Sequence, residues 1–253
     1  LLPLDPLAQN IADSLQPPSP ENWFGTDELG RDILARVVYG ARTSLVTAFG
    51  AVFIAALVGV PIGLAAGFYG DWRDSILMRC IDVLLALPNI LFAMALIAVL
   101  GRSQGAALIA VGVAGIPGFA RIARAQVMAL RQLDFVMAVR GFGGRPSYIM
   151  FRTILPNALS PLVVQAIVLA SIAILLEAAL AFLGVGVPPP TPSWGEMLRT
   201  GKSYLYEAPS YAVLPGLVLT LTILSFDTIG RALTAILDRD ETDASGVTIG
   251  GRR

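Results

Sequence analysis

The sequence predicts an all-α polytopic membrane protein, and three observations carry that prediction. Hydrophobic residues make up 55% of the 253 and charged residues only 14%, against roughly 25% charged in an average soluble domain. Five runs carry no charge at all: Thr43–Tyr69, Val83–Gly101, Ser103–Ala120, Thr153–Leu176 and Ala208–Phe226. Crossing ~30 Å of hydrocarbon takes about 20 residues at helical rise, so each run suffices. None of them alternates apolar and polar residues as barrel strands do. An unpaired amide is costly in lipid, which leaves helices as the way across.

The elements follow in order. The chain opens on Leu1-Leu2-Pro3, and no signal-peptide pattern follows. Residues 1–30 are rich in Pro, Asp and Asn, with Pro17-Pro18-Ser19-Pro20 at their centre, and read as an irregular polar segment. From Asp27 to Arg42 the spacing turns helical. Ile33, Val37 and Val38 share a face while Arg31, Asp32 and Arg36 point elsewhere, so an amphipathic lead-in at the membrane surface is expected. The expected division is an external segment and lead-in over 1–42, a transmembrane domain over 43–238 and a tail over 239–253. Within the transmembrane domain, a loop outside the membrane occupies about 121–156.

In the first span Gly59, Gly63 and Gly67 recur every four residues, a bare helix face on which another helix can pack closely. Pro61, Pro88, Pro117, Pro156 and Pro215 interrupt or begin spans, where a missing N–H permits a kink. Three carboxylates sit at or in the spans, where an ionised group needs a cavity or a partner. Asp82 lies beside Arg79, Asp227 can pair with Arg231 four residues on, and Glu177 closes a long apolar run. Glu177 is expected either to line a translocation path or to bond a neighbouring helix.

Arginines set the orientation. Arg73, Arg79, Arg121, Arg124, Arg131, Arg140, Arg145, Arg152, Arg231, Arg239, Arg252 and Arg253 fall on one side, twelve of the eighteen basic residues. By the positive-inside rule that side is cytoplasmic. The C-terminus is then inside and residues 1–42 outside, which implies one further helix upstream and six spans in all.

Composition also excludes chemistry. There is no histidine and only one cysteine, Cys80, so the commonest general base and metal ligand are missing and a thiolate metal cluster is ruled out. No catalytic residue and no metal site is expected, and zero net charge gives no reason to expect nucleic acid. Gly201-Lys202-Ser203, with Gly195 upstream, imitates the end of a phosphate-binding loop. Five residues separate the glycines where four are needed, and no strand precedes them. The match is false.

The loop carries the most information. Phe135, Val139 and Phe142 stand at i, i+4 and i+7 as one apolar stripe. Gly143-Gly144 stops that helix, and Pro146 suits the first turn of another. Such a face outside the membrane calls for a protein groove, or else for the lipid surface.

At these residues the chain resembles the permeases of bacterial ABC importers, in the dipeptide/oligopeptide/nickel branch (the C-type member of the pair). Ala138, Gly143, Leu155 and Pro156 stand in register with the family's cytoplasmic signature, while Met137, Val139 and Thr153 depart from it. Further matches to the branch are Gly25-Thr26-Asp27-Glu28-Leu29-Gly30-Arg31-Asp32-Ile33-Leu34 and Tyr39-Gly40-Ala41-Arg42. Phe182-Leu183-Gly184, Pro188-Pro189-Pro190-Thr191-Pro192 and Trp194-Gly195 match as well. The resemblance implies a type I importer permease fold in the bacterial inner membrane. It implies that Phe135, Ala138, Val139, Arg140, Phe142 and Gly143 form a coupling helix docked on a cytoplasmic ATPase. It further implies a paralogous permease, two ABC ATPase subunits that hold ATP and Mg, and an external solute-binding protein, with no cofactor on this chain. Short peptides, nickel chelates, glutathione or opines would be carried. The competing readings are an ion-coupled secondary transporter, with Glu177 as coupling group, and a membrane hydrolase, whose only lysine would be Lys202.

Overall fold

Asp32 opens the first membrane helix: its Oδ1 accepts from the Leu34 N–H at 2.8 Å, satisfying an amide that no helical carbonyl reaches. In the computed structural model, which describes residues 5–246, α1 (Ile33–Tyr69) is one unbroken helix of 37 residues. Leu1-Leu2-Pro3, Arg252 and Arg253 lie outside the described residues, as do the side chains of 237–246. From Ile33 on, the lead-in expected near the membrane surface is thus the first part of α1. Arg31 and Arg36 do not point to water; they are buried, each within 3.3 Å of the Asp27 carboxylate. Once paired, these charges no longer require a surface position, and the helix continues through Arg42 without a break.

The second expected span is broken. α2 (Asp71–Leu85) and α3 (Asn89–Leu100) meet at 87°. Pro88 supplies the reason, because it lacks an N–H and pushes Leu87 away from helical geometry. The 12 residues of α3 rise about 18 Å, short of the bilayer core, so α3 is either half of a broken span with α2 or the limb of a re-entrant loop. The described residues therefore hold four spanning helices, or five with that pair.

α4 (Gln104–Leu130) is capped by Ser103, whose Oγ accepts from Ala106 N–H at 3.0 Å, and runs ten residues past Ala120. Arg121 and Arg124 consequently belong to this helix and not to the loop. α5 (Asp134–Gly141) and the single turn α6 (Pro146–Tyr148) follow, with Pro146 in the first helical position. A π-helical stretch over Ile149–Ile154 leads to α7 (Leu155–Asn157). Pro156 cannot donate to the ladder, and the regular part of the next span, α8 (Leu159–Phe182), starts after it. α9 (Trp194–Gly201) is short, and α10 (Ser210–Gly246) is long, with Pro215 inside it.

The pairing of α1 with α4 is the most extensive in the fold. Gly59, Gly63 and Gly67 face α4, and Ala51 and Ala55 continue their row. A Cβ on Gly63 would stand 2.2 Å from the Ala120 carbonyl oxygen, and one on Gly59 2.7 Å from that of Ile116. The two backbones touch because these side chains are absent. α8 packs across both helices and carries α10 on its other flank.

Candidate functional site

The loop between α4 and α8 stands on an apolar base. Val136 is fully buried, and with Ile149, Met150 and Ile154 it packs on Leu64 of α1 and Val127 of α4. Val139 joins the same cluster. Gly143, at φ +79, ends α5 in the left-handed region that a side chain would strain. The N–H of Phe142 reaches Ala138 O and that of Gly144 reaches Val139 O, both at 3.0 Å, so the helix end is closed.

The outward face differs from the expected stripe. Phe142 is 93% exposed and Phe135 41%, with exposed Ala138 between them. Val139 is turned inward beside Val136, so Phe135, Ala138 and Phe142 make the ridge. Three residues is nearly one helical turn, and anchoring Val136 draws Val139 to the same side. Arg140 is also drawn back: its guanidinium sits 5.3 Å from the centre of the Phe68 ring, a cation–π contact with the end of α1.

Arginines fasten this end of the molecule. Arg131 Nη1 donates to Gly67 O at 2.8 Å, placing a cation where the last carbonyls of α1 carry partial negative charge. Arg124 grips Asp74 with two bonds of 2.6 Å, joining α4 to α2. Arg124→Gln should lower stability by about 1–2 kcal/mol, between the worth of an exposed and a buried pair. Thermal unfolding of the detergent-purified protein reads this; an unchanged midpoint would show the pair to be idle.

Other predicted groups are placed as follows. Asp82 pairs with Arg121 on α4 at 2.7 Å and not with neighbouring Arg79. Asp227 and Arg231 form the expected pair one turn apart. Glu177 is buried, 1% exposed, and its Oε2 accepts from Ser44 Oγ at 3.0 Å. That side of α8 packs on α1, so the carboxyl joins two helices. Gly201-Lys202-Ser203 closes α9 and begins a short 3-10 turn, with Lys202 Nζ 4.6 Å from the Phe182 ring centre. Among the described residues no group of three His, Cys, Asp or Glu is arranged to hold a metal.

One cluster escaped sequence reasoning. Asp27 accepts from the N–H groups of Leu29 and Arg31 at 2.9 Å and from Arg31 Nε at 2.6 Å. Arg36, also beside Asp27, reaches Glu196 of α9 at 3.6 Å. Trp194 Nε1 donates to Val37 O at 2.9 Å. The polar stretch before α1 is thereby locked to α9 at the end of the molecule opposite the loop. The Asp27–Arg31 spacing was a readable signal, whereas Glu196 as a partner was not.

Residues 59–242 match the family described as binding-protein-dependent transport system inner membrane component. The dipeptide transport system permease protein DppC of Alkalihalophilus pseudofirmus is 45% identical over 229 residues, covering 90% of this chain and 75% of that protein. The glutathione transport system permease protein GsiD of Pectobacterium atrosepticum is 40% identical, covering 87% and 73%. Among solved structures, an inward-facing conformation of the MetNI methionine ABC transporter aligns with a TM-score of 0.60 at 21% identity. That match covers 78% of this chain and 96% of the other, and shows a shared fold.

Proposed function

The chain belongs to the binding-protein-dependent transport system inner membrane component family, and on that footing we propose that it carries short peptides or a related small solute. It is an ABC importer permease of the inner membrane, a transport protein and not an enzyme. The solute class is a short peptide, glutathione, a nickel chelate or an opine; relatives named for dipeptide and glutathione transport support the first two. This chain forms half of the path beside a paralogous permease. An external solute-binding protein delivers the ligand, and two cytoplasmic ATPase subunits hold ATP and Mg. The C-terminus lies on the ATPase side.

The observation that carries the coupling role is the ridge of Phe135, Ala138 and Phe142. It is apolar and open, yet seated on a base tied to α1 and α4, so a push on it reaches the spans directly. When the paired ATPases close on ATP, the ridge moves with them and α1 and α4 tilt as one body. The match to binding-protein-dependent transport components and to a dipeptide transport system permease weighs against the ion-coupled alternative.

Co-purification from native membranes in mild detergent tests the assembly. Recovery of a second permease and P-loop ATPases is expected, with ATP-dependent uptake of dialanine after reconstitution. A lone chain indifferent to ATP, seen again after crosslinking, would overturn the reading.

A further inference from the structure

A groove between α8 and α10 has mostly apolar walls, Val168 and Ile172 on one side and Ile223 and Leu224 on the other, into which Ser171, Asp227 and Arg231 bring polar groups. Two observations fix its depth. Phe226 meets the Phe49 ring edge-on, with centroids 5.8 Å apart, and Phe49 lies near the middle of α1. Val168 and Ser171 likewise lie near the middle of α8. Asp227, next to Phe226, therefore sits deep in the apolar layer and not at its rim. Its carboxylate pairs with Arg231, yet the two side chains are 44% and 80% exposed. An open ion pair at this depth is strongly disfavoured against lipid tails and normally faces a polar cavity.

Polarity continues along α10. Thr220, Asp227, Arg231 and Thr234 share one face at helical spacing, with Ile223 between Thr220 and Asp227 on that face, over a rise of about 21 Å. A stripe of that length suits a wetted wall better than a single packing contact. Thr220 and Thr234 donate to the carbonyls of Gly216 and Gly230, at 2.8 and 3.0 Å, so their hydroxyls are satisfied with or without a solute. The neighbouring face of α10, with exposed Leu217 and Leu221, is the one suited to lipid.

We propose that this groove is part of the wetted wall of the solute path and that Asp227 and Arg231 form a contact site for a small zwitterionic solute. Asp227 receives the cationic amine and Arg231 the carboxylate. Each charge neutralises the other while the site is empty, and a ligand bearing both opposite charges can separate them. The choice of solute rests on the peptide reading above, but the wetness of the groove does not.

The test uses the assembled importer in membranes, with Ser171→Cys in the groove or Leu221→Cys on the apolar face, each in a Cys80→Ser background. A charged, water-soluble thiosulfonate is expected to label Ser171→Cys much faster than Leu221→Cys, and dialanine is expected to slow that labelling. Equally slow labelling would overturn the proposal, since the groove would then be covered by lipid or by a packed helix. Asp227→Asn and Arg231→Gln, scored on complexes recovered in normal yield, should each cut dialanine uptake about tenfold or more, the worth of a hydrogen bond to a charged group. Exchanging the two, Asp227→Arg with Arg231→Asp, keeps an ion pair but reverses its direction. Uptake restored by the exchange would reduce the pair to a structural one and overturn the contact site. If the unaltered complex takes up no dialanine, the peptide reading fails by itself, and the labelling comparison decides whether the groove is wetted.

Discussion

Replacing Phe142 with Asp is expected to abolish ligand-stimulated ATP hydrolysis by the assembled importer while leaving the chain inserted in the membrane. Phe142 is 93% exposed at the closed end of α5 and supports no packing of its own, so the fold loses nothing when it is removed. Its worth lies in a partner's groove. Truncating a buried aromatic anchor typically costs about 2–4 kcal/mol, a weakening of roughly 30- to 1000-fold. Asp adds a charge that the groove would have to desolvate. Co-purification of the ATPase and its stimulated rate are the two readouts. Full stimulation in the variant would move the docking surface elsewhere on the loop.

Gly63→Leu is expected to prevent assembly altogether. A Cβ at this position stands 2.2 Å from Ala120 O, 2.7 Å from Ala123 Cβ and 2.9 Å from Arg124 N. Two of these atoms are backbone, which cannot swing aside as a side-chain tip can. α1 and α4 would have to separate along their whole length, and overpacking of that kind falls at or beyond the upper end of about 1–3 kcal/mol. Little monodisperse protein should be recovered, and Gly63→Ala should already lower the melting temperature. Normal recovery of the Leu variant would show that α1 and α4 do not meet at this glycine.

The helical class, the membrane setting and the bare face of α1 were all readable in the order of residues. So was the end of α5 at Gly143-Gly144, because a left-handed closing residue and a following proline are local requirements. The errors share a different character. The lead-in runs on into α1 with Arg31 and Arg36 paired to Asp27 and buried, and nothing nearby in sequence announces Glu196 as a partner. Val139 was placed on the outer ridge because the spacing of Phe135, Val139 and Phe142 is apolar; the burial of Val136 against Leu64 and Val127 turned it inward. Asp82 lies beside Arg79 in the sequence, yet its partner is Arg121, 39 positions away on α4.

Glu177 marks the boundary between the two kinds of knowledge. That a carboxylate among apolar residues needs a partner follows from the cost of charge in lipid, which each residue bears wherever the chain goes. Costs of this kind add along the sequence, and they settle which segments cross the membrane and which stay in water. Which partner answers depends on how helices lie against one another. Ser44 is 133 positions from Glu177, and Val37 is 157 from Trp194. Those pairings, and the division of α5 into an anchored side and an open one, are set by the close approach of whole helices, a property that no single stretch of residues possesses.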